Sequence, residues 1–302
     1  GTKRPWRGTR TMDSRRSLQL AFADRPLGVR RRPRHTLRPM TRIADLIHDW
    51  NTTGGTFRPT RPLQFDDETL RDGLQSPAVS DPTLELKLDL LERMDKLGIQ
   101  TANLGLPGAG GRPREDILKL AQHIAKNRLR IGANVACRTV VSDIEPVVEM
   151  TQKAGMPIEV CAFIGSSYIR QYAEDWTLER MLQNTREALT FAQKHNLPVM
   201  YVTEDTTRAR PETVKALYST AIELGARRLC VCDTVGHATP QGTRAVVKFV
   251  RELADQHDKT LGVDWHGHRD RDLGIANCLA AIEAGADRVH GTALGVGERA
   301  GN

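Results

Sequence analysis

The sequence predicts an α/β protein built as a closed (β/α)8 barrel, and three observations carry that prediction. From about residue 62 onward, short apolar runs alternate with amphipathic segments of helical period. The alternation repeats often enough for eight strands and seven helices, which favours a closed parallel barrel over an open sheet. The helical segments also end on recurring phrases: Lys96-Leu-Gly98, Lys153-Ala-Gly155, Glu223-Leu-Gly225 and Glu283-Ala-Gly285. Each sets a glycine just past a helix, where the backbone must turn left-handed before the next strand.

Taken in order, Pro62–Asp66 is the first predicted strand. A helix over Thr83–Leu97 follows, with Leu84, Leu88, Leu91 and Leu97 at helical spacing. Thr101–Leu106 is the second strand and Arg114–Asn127 the second helix, with Gly108–Gly111 as a flexible connector between them. Strands over Leu129–Val135, Ile158–Phe163, Pro198–Val202, Arg228–Cys232, Gly262–Trp265 and Arg288–Gly291 complete the eight. Helices over 143–154, 177–195, 211–224, 240–257 and 272–284 separate them. The chain stops at Asn302, just past strand eight, which predicts a TIM barrel truncated before its last helix and C-terminal region.

Charge divides the chain in two. Net charge is +7, yet residues 1–40 hold 11 Arg and 1 Lys against Asp13 and Asp24, so they carry +10 and the remaining 262 residues carry −3. The basic pI therefore belongs to the tail, and it does not predict a nucleic-acid surface on the domain. Residues 1–45 read as a basic, disordered extension and 46–302 as the barrel domain. An organellar transit segment and a nucleic-acid arm are alternative readings of the tail. Met40 is a natural start, so a dispensable extension is the preferred one.

No apolar run reaches the roughly 18–20 residues that span a bilayer, and a cytoplasmic protein is expected. The five cysteines are 137, 161, 230, 232 and 278. Cys230 and Cys232 share one face of a strand. No second pair stands at zinc-finger spacing, so buried, reduced thiols are expected.

Chemistry concentrates where a barrel places it, at the C-terminal ends of strands. Arg71 and Asp72 follow strand one, Glu204 and Asp205 strand five, Asp233 and Thr234 strand six. His266 and His268 bracket the end of strand seven; Glu298 and Asn302 follow strand eight. Strands one, seven and eight are neighbours in a closed barrel, so Asp72, His266, His268 and Asn302 can converge. Two imidazoles and a carboxylate make an N/O set for a divalent ion with open positions. Arg71 beside it stays cationic and can bind a developing enolate oxygen. Bland readings stand alongside: Glu204 joined with Asp205 and Arg208 in a purely structural group, and Thr234 capping the following helix. Gly295-Val-Gly297 fails the dinucleotide spacing.

Five motifs now stand in order: Asp67-Glu-Thr-Leu-Arg-Asp-Gly-Leu-Gln75, Thr203-Glu-Asp205 with Arg208, Asp233-Thr-Val-Gly236, His266-Gly-His268, and Gly297-Glu-Arg-Ala-Gly-Asn302. From Gln64 to Asn302 the chain resembles the metal-dependent aldolase-like barrels. That group includes 2-isopropylmalate synthase, homocitrate synthase, citramalate synthase and hydroxymethylglutaryl-CoA lyase. The ending Gly-Glu-Arg-Ala-Gly-Asn resembles the synthase branch, whereas Leu74 is the residue of the lyase motif. Arg269 stands where the family usually has Asn or Asp after His-x-His.

The resemblance implies a Claisen-type condensation of acetyl-CoA with a 2-oxo acid. It implies Asp72, His266 and His268 as metal ligands, with Asn302 completing the shell, and Mg2+ or Mn2+ ahead of Zn2+. It implies Arg71 polarising the carbonyl or thioester, Gln75 and Glu204 orienting substrate, Thr234 on the oxo-acid carboxylate and Glu298 near the acetyl donor. A homodimer is implied for the full-length form. Met200 is apolar where homocitrate synthases place a basic residue, which favours 2-oxoisovalerate. The other readings are a homocitrate or citramalate synthase, a carbon–carbon lyase, and an inactive truncated barrel acting as a binding or assembly fragment.

Overall fold

The computed structural model describes residues 47–302 apart from Gly54 and Thr56. Expectations for the extension at 1–45 lie outside the described residues. The chain divides into two units, Gly1–Thr56 and Phe57–Asn302. In the first, a turn of 3-10 helix, Trp50–Thr52, is opened by Asp49, whose Oδ1 accepts the Asn51 amide at 2.9 Å.

The second unit is a closed barrel of eight parallel strands in sequence order. They are β1 Gln64–Asp67, β2 Thr101–Asn103, β3 Gly132–Arg138, β4 Ile158–Gly165, β5 Val199–Glu204, β6 Arg228–Asp233, β7 Gly262–Gly267 and β8 Arg288–Gly291. β1 and β8 close the ring, Gln64 opposite Arg288 and Asp67 opposite Gly291. The helices are α1 Leu84–Leu97, α2 Gly111–Asn127, α3 Val141–Ala154, α4 Tyr168–Glu174, α5 Leu178–Lys194, α6 Pro211–Glu223, α7 Pro240–His257 and α8 Gly274–Glu283.

All the predicted helices form, and the four glycines at their ends take positive φ. α4 was not expected. None of its seven residues is buried, and its apolar residues, Tyr168, Ile169 and Tyr172, are exposed, too few in so short a span to stand out as a helix. What starts it is local: the Ser167 hydroxyl accepts the Arg170 amide. The Gly108–Gly111 connector is ordered, with a 3-10 turn over Pro107–Ala109 leading straight into α2. No described helix is long and apolar enough to cross a membrane.

Strand alternation sorts side chains into two cores. Outward, Val135, Val160, Leu229 and Val263 pack among Leu91, Leu120, Val147 and Leu217 of the helices, all fully buried. Inward, the barrel is polar at its base. Arg288 on β8 reaches across to Glu159 on β4 at 2.9 Å and also pairs with Asp264 on β7. Arg228 on β6 meets the other Asp264 oxygen at 2.6 Å. Above this lies a layer of sulfur, Cys161, Met200, Cys230 and Cys232. All five cysteines are free thiols, and only Cys278 is partly exposed. Interiors of such barrels are usually filled by branched aliphatics; this one spends its inward positions on ion pairs that brace the floor of a cavity. After β8 the described residues form a 3-10 turn, Ala293–Gly295, and Phe65 on β1 is 51% exposed.

Candidate functional site

The cavity opens at the C-terminal ends of the strands and holds about 140 Å³. One wall is apolar: Leu106, Ala136, Phe163, Met200 and Val202. The polar part of the lining carries Arg71, Gln75, Glu204, Thr234, His266, His268 and Glu298. These are seven of the nine residues singled out from the sequence. The remaining two, Asp72 and Asn302, stand just behind that part.

The loop after β1 sets the first group. Its start is folded by Thr69, whose amide donates to Asp67 Oδ1 at 2.8 Å, and by the Arg71 and Gly73 amides, both donating to the Glu68 carbonyl at 3.1 Å. Glu68 Oε2 then accepts from Arg71 Nε at 2.7 Å, and Arg71 Nη1 donates to Gln75 at 3.4 Å. Burial opposes charge on Arg71, but Glu68 and then Asp72 hold the guanidinium more basic than usual. It is a fixed cation aimed at the cavity.

Asp72 is fully buried. Its Oδ1 accepts the Glu298 amide at 3.3 Å, while Oδ2 has no hydrogen-bond partner. Burial pushes its carboxyl up, against the pull of Arg71 and His268. The close fit explains Gly297: a Cβ there would lie 2.6 Å from Asp72 Oδ2. A Cβ at Gly301 would lie 2.6 Å from the Val296 carbonyl. The two glycines let the last loop fold back on itself, Val296 bridging Ala300, and lie against Asp72.

That loop also orients the histidines. His268 Nδ1 donates to the Ala300 carbonyl at 2.9 Å, which leaves Nε2 free to accept. Burial pushes His266 well down, so its imidazole is neutral. Its Nε2 lies 2.9 Å from Asn302 Nδ2, and the Asn302 amide oxygen is buried without a partner. The two imidazole rings are 5.3 Å apart. Two unpartnered buried oxygens, on Asp72 and Asn302, thus stand beside two imidazoles. This donor set fits a divalent cation of borderline or hard character.

Two further residues belong to the site and were not singled out from the sequence. Glu68, His266 and His290 bring one donor atom each within 4.8 Å of one another. Glu68 reads as a mere neighbour of Arg71, and His290 as one residue of a short strand. The signal was there in phase: Glu68 continues the inward side of β1 after Asp66, and His290 that of β8 after Arg288.

Glu204 does not join Asp205 and Arg208. Those two pair with each other at 2.7 Å, and Glu204 instead faces Arg170 at 3.7 Å. Burial pushes its carboxyl up, opposed by Arg170 and then Arg71. Thr234 does not cap α7, which Thr239 does; its hydroxyl accepts the Asp205 amide at 2.8 Å. Glu298 projects at the rim, its side chain 57% exposed and 3.8 Å from Arg299.

The HMGL-like family model matches residues 62–302. A putative (R)-citramalate synthase of Methanopyrus kandleri is 34% identical over 244 residues, covering 81% of this chain and 46% of that protein. A 2-isopropylmalate synthase of Lactococcus lactis is 32% identical over 243 residues, covering 80% of this chain and 46% of that protein. The chain spans about half the length of these curated relatives. Among solved structures, an HMG-CoA lyase of Acinetobacter baumannii in complex with coenzyme A and 3-methylmalate superposes with a TM-score of 0.65 at 22% identity, covering 80% of each chain. That likeness bears on the fold; the match over the whole barrel bears on descent, and the chain belongs to the HMGL-like family.

Proposed function

We propose that the barrel carries the site for a metal-dependent condensation of acetyl-CoA with a 2-oxo acid, in the manner of a 2-isopropylmalate synthase. One observation supports this above the rest: the cation Arg71 and the imidazoles of His266 and His268 line the same cavity as an apolar wall, with Asp72 and Asn302 behind them. A divalent ion bound by that set, Mg2+ or Mn2+ ahead of Zn2+, supplies Lewis acidity and a template for the oxo acid.

The chain's own groups do the rest. Arg71, held by Glu68, presents N–H donors to an oxygen that gains negative charge as the acetyl methyl loses its proton. Glu204, its carboxyl raised by burial, is placed to exchange that proton. Thr234 offers its hydroxyl to the substrate carboxylate, Gln75 holds the face of Arg71, and Glu298 stands at the rim where the acetyl donor enters.

The apolar wall selects the oxo acid. Among the described residues, Arg71 is the only Arg or Lys lining the cavity. A second cation, Arg288, touches the sulfur of Met200 at 3.1 Å, but Asp264 and Glu159 already hold it. A distal carboxylate such as that of 2-oxoglutarate therefore finds no free partner, and a branched aliphatic chain such as that of 2-oxoisovalerate fits. The relatives work as longer chains, and a homodimer of the full-length form belongs to the same proposal.

The test is calorimetric titration of 2-oxoisovalerate, pyruvate and 2-oxoglutarate with Mn2+ present and absent, in the wild type and His268→Ala. Metal-dependent binding of 2-oxoisovalerate that disappears in the variant is the expected result. Binding indifferent to metal, or a preference for 2-oxoglutarate, sinks the proposal.

A further inference from the structure

The floor of the cavity carries sulfur that the proposed condensation does not use. Cys230 and Cys232 alternate with Val231 on β6, so both thiols face the barrel interior while Val231 packs outward in the core. Their Sγ atoms stand 3.8 Å apart, both are free, and both line the cavity. Cys161 of β4 and Met200 of β5 complete the layer. We propose that Cys230 and Cys232 form a dithiol site that captures monosubstituted trivalent arsenicals at the floor of the cavity.

Reach comes first. β6 is paired on both sides, with Cys230 opposite Val202 and Asp264 and Cys232 opposite His266, so the strand holds the two thiols in place before any ligand arrives. A disulfide would have to draw the sulfurs in to about 2.05 Å. One atom interposed at about 2.3 Å from each, the length of a zinc–thiolate bond, spans about 3.8 Å at the tetrahedral angle and takes the sulfurs where they stand. Valence comes next. A zinc ion takes three or four protein ligands. Among the described residues, the three ligating side chains whose donor atoms lie within 4.8 Å of one another are Glu68, His266 and His290, without either cysteine. A monosubstituted arsenical needs two sulfurs and brings carbon as its third neighbour. That substituent has Phe163, Met200 and Val202 of the apolar wall to lie against. Charge comes last. Two thiols yield a neutral adduct, so no uncompensated charge enters a floor where Asp264 and Glu159 already match Arg288.

The step balances without redox. R–As(OH)2, where R is the organic substituent, meets two S–H groups. Two As–O and two S–H bonds break, two As–S bonds form, and two waters leave with the two protons. Arsenic stays trivalent throughout. The second As–S bond closes within the protein at high effective concentration, so the pair binds tighter than a single thiol by roughly a hundredfold or more. Capture of this kind is independent of the proposed condensation.

The test is one equivalent of phenylarsine oxide added to the folded protein in excess 2-mercaptoethanol, read by intact mass. The expected result is one phenylarsenic group per chain, retained against the monothiol and released by 2,3-dimercaptopropanol. Cys230→Ser and Cys232→Ser should each lose that retention, with apparent affinity falling roughly a hundredfold or more, while Cys161→Ser and Cys278→Ser keep it. Peptide mapping of the wild-type adduct should place the arsenic on the segment that holds Cys230 and Cys232, which decides the matter if a serine variant fails to fold. No retention by the wild type overturns the proposal. So does retention in either Cys230→Ser or Cys232→Ser, an equal loss in Cys161→Ser, arsenic on another segment, or capture that occurs only in denaturant.

Discussion

Arg71 and Gly297 show how differently two residues can serve one site. Arg71 acts through its fork of N–H groups, two of them committed to Glu68. Lysine keeps the charge and loses the fork. Arg71→Lys is therefore expected to lower turnover of acetyl-CoA and 2-oxoisovalerate by about a hundredfold or more, read in a free-thiol assay for released CoA; a change below a few-fold removes Arg71 from the chemistry. Gly297 acts by having no side chain. Gly297→Ala drives a methyl into Asp72, and Mn2+ affinity is expected to fall about tenfold or more, measured by the free-ion paramagnetic resonance signal. Both residues were legible as motif members. Glu68 stood within the first motif without a role, and His290 outside every motif, because a carboxylate just past a strand or an imidazole within one announces itself only once the inward phase of that strand is known.

At the scale of elements, helices were the more legible half of the fold. A helix such as α2 shows an apolar stripe, Ile117, Leu120, Ala121 and Ile124, that its neighbours bury. Leu120 is fully buried at the heart of that stripe. Leu120→Ala is expected to cost about 2–5 kcal/mol, measured by urea unfolding at constant slope. A cost below 1 kcal/mol means the helix layer yields where the packing says it does not. Strand ends were less legible. β2 closes at Asn103, three residues before the expected end, as Gly105 bends away at a φ of +137°. The short α4, capped by Ser167 and burying nothing, offers only Tyr168, Ile169 and Tyr172 at helical spacing, too short a pattern to mark an element.

For the whole molecule, the floor of the barrel couples stability to acidity. Arg228 and Arg288, working against burial, hold the Asp264 carboxyl far below the usual carboxylate range. The folded protein thus binds fewer protons at this site than the unfolded chain, and stability rises with pH across the window. The contribution is complete above the ordinary aspartate range near 4 and fades as pH falls below it. Asp264→Asn is expected to cost about 3–5 kcal/mol at pH 7 by leaving the buried Arg288 and half-buried Arg228 guanidinium groups under-compensated. The gap between variant and wild type should narrow below pH 4. Melting temperatures from pH 7 to 3 test this, and a gap that stays constant rules out Asp264 as the group responsible. The closed topology itself was readable from the count of alternations. That its interior would be ionic rather than aliphatic follows only from register, which sets Asp264 beside Arg288.

The last loop gives the site a history as well as a shape. Asp72 leaves the ribosome early and waits about 230 residues for Gly297, Ala300 and Asn302, a separation whose closure grows only slowly more costly with length. Until β8 docks beside β1, His268 has no carbonyl to steady it and Asp72 no amide to meet it. On the proposed function, cation capture is then the final act of ring closure, and a nascent or unzipped barrel lacks the assembled donor set.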